Sequence, residues 1–445
     1  MTETTNSLGT QKISKLLIKQ AIPASIGILV MSLNMIVDTI FVGQWIGSMA
    51  IAAITVVLPI VFLISSIGMG IGIGGSSIIS RAFGAKDIKK AYLTFGNQIS
   101  LTLVLSIFFV SVGILFYKPL LLLFGANGAI LDPATSYFNV VLYGVPFLAF
   151  AMMGNPVIRA EGKPKFAMYA MILPAISNIL LDIIFIKFLG LGMFGAGLAT
   201  SISYAVCGLF IFSFFLSTKS ELVIKPNYFL LKLSIVKEII QLGGVTIARQ
   251  GTISVLMIVL NATLYTYGGE NAIAVYGIIN RVMMFALFPV LGVTQGFLPI
   301  AGYNYGAKNS ERVKEVIKKA ILYGSMVATL IFLGIITFPE AIASIFTSDT
   351  ALIEETPKAL LYVFLATPVI TAQLIGSAYF QAAGKAMPAL LLTLLKQGIF
   401  LIPLVYLLPK FFGLNGVWFS FPIADILATF VTLTFLRLEV RKNLN

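Results

Sequence analysis

The 445-residue chain has no histidine, one cysteine, two tryptophans and few charges, with only 11% of its residues Asp, Glu, Lys or Arg. Without imidazole there is no His-based metal site and no easy proton shuttle near neutral pH, so proton or cation work falls to carboxylates. One cysteine excludes an intrachain disulfide, and the apolar run around Cys207 predicts a small buried residue. A soluble domain carries about 25% charged residues; here charge is scarce and 58% of residues are hydrophobic, which places the chain in a membrane. No nucleotide-binding signature is present. The glycine run Gly68-Met69-Gly70-Ile71-Gly72-Ile73-Gly74-Gly75 lacks the preceding strand and following Gly-Lys-Ser/Thr of a phosphate loop. Its small residues instead suit close helix packing in lipid, and ATP is not expected as the direct energy source.

What is present is a series of long apolar runs, each near the length of about 20 residues that crosses the hydrocarbon. They do not break into short alternating segments, which excludes an outer-membrane barrel. The first run is too long, and lacks a small-residue cleavage site, for a cleavable signal peptide to be expected. Twelve helices are predicted, at about 15–43, 50–81, 90–117, 133–157, 165–187, 193–217, 235–266, 271–303, 312–338, 354–380, 386–408 and 414–438. With this alternation, 23 of the 30 lysines and arginines fall on the side of the termini. Four (Lys118, Lys187, Lys358 and Lys410) fall on the other, and three lie inside helices. Such a bias places both termini in the cytoplasm of a bacterial-type inner membrane. The +13 net charge is thus a topology signal, dispersed over loops, and no nucleic-acid partner is expected.

The chain repeats itself. Gly84-Ala85-Lys86-Asp87 returns 222 residues later as Gly306-Ala307-Lys308-Asn309. At the same offset Gly70 and Gly74 match Gly292 and Gly296, and Ala160, Gly162 and Lys163 match Ala382, Gly384 and Lys385. Each half has six helices, an even number, so the halves enter from the same side as parallel repeats. The expected fold is an all-α integral membrane protein of two six-helix lobes related by a pseudo-twofold along the membrane normal. The lobes are expected at 1–216 and 235–445, joined by a basic cytoplasmic linker at 217–234. Two similar bundles suit alternating access of a solute, a task that needs neither an enzyme's active site nor a cofactor.

Three acidic residues fall well inside spans: Asp38, Asp182 and Asp425. A charge at mid-bilayer costs at least about 3 kcal/mol, so each is a functional candidate. Asp38 in helix 1 and Asp182 in helix 5 lie near the outer ends of helices that run the same way. Each follows an asparagine by four residues, Asn34 and Asn178, so amide and carboxylate share a helix face. Thr200 in helix 6 lies at a comparable depth. Carboxylate, amide and hydroxyl oxygens suit Na⁺, held by Asp38, Asn178, Asp182 and Thr200, or a shared proton. In the second half Asp38 and Asp182 become Leu260 and Leu404. Arg249, Arg281, Lys396 and Asp425 lie near mid-span there, and a Lys396–Asp425 or Arg281–Asp425 pair is expected to neutralise charge; the alternative is a second coupling or substrate site. Asn155, with Met152 and Met153 beside it, is a weaker candidate for contacts to varied substrates. Pro23 either lets helix 1 bend or marks its beginning.

In order along the chain stand Ser80-Arg81-Ala82-Phe83-Gly84-Ala85-Lys86, Arg159-Ala160-Glu161-Gly162, Gln295-Gly296, Tyr303-Asn304-Tyr305-Gly306-Ala307-Lys308 and Gln381-Ala382-Ala383-Gly384. With these pieces the sequence resembles the multidrug and toxic compound extrusion (MATE) family, and most closely its branch related to the DNA-damage-inducible transporters. The resemblance implies twelve helices in two lobes and export of amphipathic, often cationic compounds in exchange for H⁺ or Na⁺. It also implies a cation site in the first lobe at Asp38, Asn178, Asp182 and Thr200. A second branch uses carboxylates in helices 7 and 10; here only Glu238, Glu354 and Glu355 come near, at helix ends. Where some members have a tyrosine one turn before the helix 1 aspartate, this chain has Asn34. The function expected is a monomeric secondary antiporter acting on small amphipathic molecules within the lipid bilayer. The alternatives are a flippase for lipid-linked saccharides and a non-transporting membrane sensor.

Overall fold

The computed structural model describes residues 3–444, and within them every regular element is a helix. The first six spans are α1 (Ile13–Trp45), α2 (Ser48–Gly84), α3 (Ile88–Leu123), α4 (Leu131–Ala160), α5 (Pro164–Asp182, continued by a π-helical stretch Ile183–Phe188) and α6 (Gly192–Leu216). A 74-residue helical run, Leu233–Gly306, follows. At 1.5 Å per residue it would measure about 110 Å, far beyond one crossing of a hydrocarbon layer about 30 Å thick. It breaks at Gly269, whose φ of 63° and ψ of −155° only glycine adopts without strain, into α7 (233–268) and α8 (270–306). Leu256, Leu260 and Leu264 before the break share one apolar core with Ala272, Val275 and Tyr276 after it, so the chain turns back on itself there. Then come α9 (Ser310–Thr337), α10 (Thr350–Phe364 and Thr367–Ala382, bent by 45°), α11 (Ala386–Phe412, with a π-helical stretch Leu395–Leu401) and α12 (Leu414–Asn443). Pro368 stands at the bend of α10, where its ring and missing N–H interrupt the helix. With the long run counted as two spans and the bent pair as one, the described residues contain the twelve spans expected.

The repeated tetrapeptides form helix stop-and-start signals. Lys86 and Lys308, at matching positions, are the two non-glycine residues with positive φ among the described residues, 59° and 55°. Each donates its N–H to the carbonyl three residues back, Phe83 or Tyr305, closing the preceding helix. The next residue caps the following helix: Asp87 Oδ1 accepts from Lys90 N at 3.0 Å, and Asn309 Oδ1 from Arg312 N at 3.1 Å. The repeat is thus a repeated local solution for reversing a helix in three residues.

Two compact units result, and they do not divide at the linker. Residues up to Ser7 and Ile26–Thr246 form unit 1; Leu8–Ser25 and the chain from Ile247 onward form unit 2. Compared with lobes at 1–216 and 235–445, the first turns of α1 and of α7 are exchanged. Glycines account for both attachments. In unit 1 a β-carbon on Gly74 would stand 2.3 Å from the Ile239 carbonyl oxygen, so α7 begins pressed against α2. In unit 2 a β-carbon on Gly296 would stand 2.9 Å from the Ala21 nitrogen, so α1 begins pressed against α8. Polar contacts reinforce the exchange. Arg81 Nη2 lies 2.8 Å from Glu238 Oε1 in unit 1. In unit 2 Asn304 Nδ2 donates to the Leu8 carbonyl and Arg312 Nη2 to the Gln11 carbonyl, at 3.0 and 2.8 Å. Helix α1 runs unbroken through Pro23, and the division between units falls two residues later.

The core of unit 1 centres on α4, with Tyr137, Phe138, Val141, Leu142 and Val145 packed against Ala53, Val57 and Ile64 of α2. Cys207 is a buried free thiol that donates to the Ala170 carbonyl at 2.9 Å. At the end of α4 the Glu161 side chain is fully buried and accepts from Ser220 Oγ at 2.8 Å and from the Glu221 and Leu222 amides. Its own carbonyl accepts from Thr5 of the N-terminal helix Glu3–Thr10. Burial pushes the Glu161 carboxyl up to about 7 from its ordinary 4.5, against the lowering by these donors.

Candidate functional site

The most unusual polar group of unit 1 is Asp182. It is the last α-helical residue of α5, its residue is 0% exposed, and neither carboxylate oxygen has a hydrogen-bond donor in the described protein. Asp38, half-buried on α1, brings its carboxyl group within hydrogen-bonding reach of Asp182. With both groups ionised the pair offers acceptors and no donor, so a cation or a proton is what the geometry lacks. The π-helical stretch that starts one residue after Asp182 widens the helix directly beside the pair.

One turn earlier on each helix the asparagines meet. Asn34 Nδ2 donates to Asn178 Oδ1 at 3.1 Å, tying α1 to α5. This consumes the Asn178 oxygen, while the buried Asn34 Oδ1 has no donor among the described residues. Of the two amides, Asn34 therefore has the free oxygen for a cation. Thr200 is placed less directly: its hydroxyl donates to the Ala196 carbonyl at 3.0 Å and lies 3.4 Å from the Tyr137 hydroxyl. Tyr137 and Tyr204 stand within electrostatic range of Asp38. Sequence reasoning passed over these two phenols because a tyrosine in a span reads as ordinary apolar bulk. Tyr204 lies one turn after Thr200 on α6, but the reach of either phenol to Asp38 exists only once α1, α4 and α6 are packed. Among the described residues no cluster of three or more His, Cys, Asp or Glu is present. The arrangement is a two-carboxylate site with neutral oxygens nearby, suited to a monovalent ion or a proton.

Asn155, Met152 and Met153 go to helix packing. Asn155 Nδ2 donates to the Ala167 carbonyl at 2.7 Å, joining α4 to α5, and its Oδ1 accepts from Arg159 Nε one turn on in α4 at 3.1 Å, so both ends of the amide are used in packing. Met153 is 0% exposed, and the backbone of Met152 and Met153 lies where a β-carbon on Gly72 would clash. In unit 2 the ion pair is Lys396–Asp425, at 2.7 Å, rather than Arg281–Asp425. Lys396 sits in the π-helical stretch of α11, and Leu260, the counterpart of Asp38, is fully buried in the apolar core.

The MatE family model matches the chain twice, over residues 23–184 and 246–407, one match for each repeat. The multidrug export protein MepA of Staphylococcus haemolyticus (strain JCSC1435) is 28% identical over 427 residues, covering 95% of this chain and 92% of that protein. MepA of Staphylococcus aureus (strain MRSA252) is 28% identical over 421 residues, covering 93% and 91%. Among solved structures, an outward-facing multidrug resistance MATE family transporter of the MOP superfamily superposes with a TM-score of 0.93 at 28% identity. It covers 99% of this chain and 98% of its own. A MOP superfamily transporter from Pyrococcus furiosus Vc1 (DSM3638), described by the reverse polarity of its binding pocket, superposes with a TM-score of 0.91 at 29% identity, covering 99% and 98%.

Proposed function

Because the chain belongs to the MatE family of transporters and is not an enzyme, we propose that it exports amphipathic, often cationic compounds across the plasma membrane by exchange for H⁺ or Na⁺. The supporting observation is the Asp38–Asp182 pair, with the Asp182 oxygens buried and lacking a donor. Two adjacent carboxylates in a low dielectric do not both stay ionised without a counter-charge. A proton shared between them, or Na⁺ held by Asp38, Asp182 and Asn34 Oδ1, supplies it. The Asn34–Asn178 bond fixes the rotation of α1 against α5, so that ion arrival is felt by both helices. Loading from outside stabilises the state that releases drug outward, and unloading into the cytoplasm resets the monomeric carrier by alternating access. Both termini face the cytoplasm in this scheme, and no organic cofactor takes part.

The test is efflux of a fluorescent organic cation from proteoliposomes with the proton and sodium gradients collapsed one at a time. Collapse of the coupling gradient alone is expected to stop efflux. Asp38→Asn and Asp182→Asn are each expected to lower gradient-driven efflux by about a hundredfold, the scale of about 3 kcal/mol for a buried charge. Undiminished gradient-driven efflux in both variants sinks the proposal.

A further inference from the structure

The acid pair of unit 1 accounts for a cation and leaves the opposite charges of unit 2 unexplained. A guanidinium inside the hydrocarbon is costly unless it is paired or lines a polar cavity. Arg249 lies 16 residues into α7, about 24 Å from its start, and Arg281 lies 12 residues beyond the Gly269 break, about 18 Å. These depths exceed what a snorkelling side chain spans. Among the described residues neither arginine has an ion-pair or hydrogen-bond partner.

Packing brings these charges to one level. A β-carbon on Gly398 would stand 3.2 Å from Thr252 Cγ2, so α11 and α7 touch there. Arg249 is one turn before Thr252 and Lys396 two residues before Gly398, on helices that run the same way. The Tyr276 and Phe421 rings, 6.3 Å apart, join α8 to α12. Arg281 follows Tyr276 by five residues and Asp425 follows Phe421 by four, again on helices of one direction. The 2.7 Å contact of Lys396 with Asp425 links the two helix pairs. Three cations and one carboxylate thus share a level on four helices, leaving two positive charges uncompensated. Arg281 is exposed and Arg249 half-buried, so both are reachable. Met284, 40% exposed and one turn after Arg281, adds an adaptable apolar surface on the same helix face.

We propose that unit 2 holds a binding site for the anionic head of an amphiphile, a phosphate, sulfate or carboxylate on an alkyl or acyl tail. Arg249 and Arg281 take the head, because a guanidinium fork matches an oxyanion with two parallel hydrogen bonds. Lys396 is held back by Asp425. The tail lies along the apolar helix surface beside Met284. The occupant comes either from the bilayer as an anionic lipid or from solution as an anionic amphiphile. The site is separate from the unit 1 acid pair and from cation export.

The test uses the full chain in phosphatidylcholine nanodiscs, titrated with dodecyl phosphate and, separately, with dodecyltrimethylammonium, with thermal stabilisation as the readout. Dodecyl phosphate is expected to stabilise the wild type saturably, and Arg249→Gln or Arg281→Gln to raise its half-saturation concentration tenfold or more. The response to dodecyltrimethylammonium is expected to be the same in all. In nanodiscs that also contain phosphatidylglycerol, loss of the dodecyl phosphate response, with phosphatidylglycerol retained by the wild type but not by the double Gln variant, assigns the site to lipid. An undiminished dodecyl phosphate response there assigns it to the soluble amphiphile. If the Gln variants fail to fold, the Arg249→Lys/Arg281→Lys double variant keeps the charge and loses the fork, and is expected to weaken dodecyl phosphate severalfold. Equal dodecyl phosphate responses in the wild type and the arginine variants overturn the proposal.

Discussion

The two units are built from one repeat and use their membrane-buried charge in opposite ways. In unit 1 the carboxylates of Asp38 and Asp182 face each other, and the Asp182 oxygens have no donor among the described residues. In unit 2 the same positions are Leu260 and Leu404, one fully buried in the core and the other packed against it. There the carboxylate at mid-span, Asp425, is neutralised by Lys396 at 2.7 Å. The difference teaches that the scaffold tolerates the site's absence. The stop-and-start turns, the glycine contacts and the apolar cores recur in both units, so the acid pair is an addition to one of them. The second difference is at the ends of α4 and α10. Glu161 is buried against the linker in unit 1, whereas its counterpart in unit 2 is Ala383, beside Lys385 and its partner Glu439.

This contrast has measurable consequences. The largest concerns stability. Lys396→Met strands Asp425 without its counter-charge and is expected to cost about 3–5 kcal/mol, read as a fall in melting temperature. Lys396→Met/Asp425→Leu is expected to recover most of it. Asp182→Asn in unit 1 is expected to leave the melting temperature unchanged or higher while efflux is lost. A matching loss of stability for Asp182→Asn and Lys396→Met would erase the distinction between the units.

Where the units are alike, they should fail alike. Gly74→Ala and Gly296→Ala each force a β-carbon against a neighbouring helix backbone, an overpacking cost of about 1–3 kcal/mol. The Gly74 change is expected to be the worse, since its β-carbon would stand 2.3 Å from an oxygen against 2.9 Å from a nitrogen at Gly296. Thermal unfolding of the two variants side by side decides the order.

The most local effect is the pH dependence of the Glu161 corner. Its carboxyl titrates near 7 when folded and near 4.5 when free, so the folded state holds the proton more tightly. Its contribution to stability is therefore greatest in acid and is lost as the pH rises from about 4.5 through 7. Hydrogen exchange at the Glu221 and Leu222 amides, corrected for intrinsic rate, is expected to show weaker protection at pH 8 than at pH 5.5. Glu161→Gln is expected to flatten that dependence.

Much of the fold was legible along the chain because hydropathy and turn chemistry are local. The helices at 235–266 and 271–303, read from composition, are α7 and α8, although the backbone runs helical through both with one residue out of register. The level of Asp38 and Asp182 was legible too, since residues counted from a helix end give depth. What each side chain meets was not, because that depends on how a helix is rotated against its neighbours. Asn155 illustrates this: an amide beside two methionines reads as a pocket wall, and its rotation instead turns it onto Ala167 and Arg159.

The sequence by itself determined the membrane environment, the twelve spans, the duplication and the depth of the acidic residues, since each follows from side-chain polarity and spacing on a known helical rise. Tertiary structure alone decided that α1 and α7 begin in exchanged units, that Asn34 bonds Asn178, that Lys396 rather than Arg281 answers Asp425, and that two arginine side chains have no partner among the described residues. These outcomes depend on which faces of distant helices come within a few ångströms, and packing sets that geometry only after the whole chain is in place.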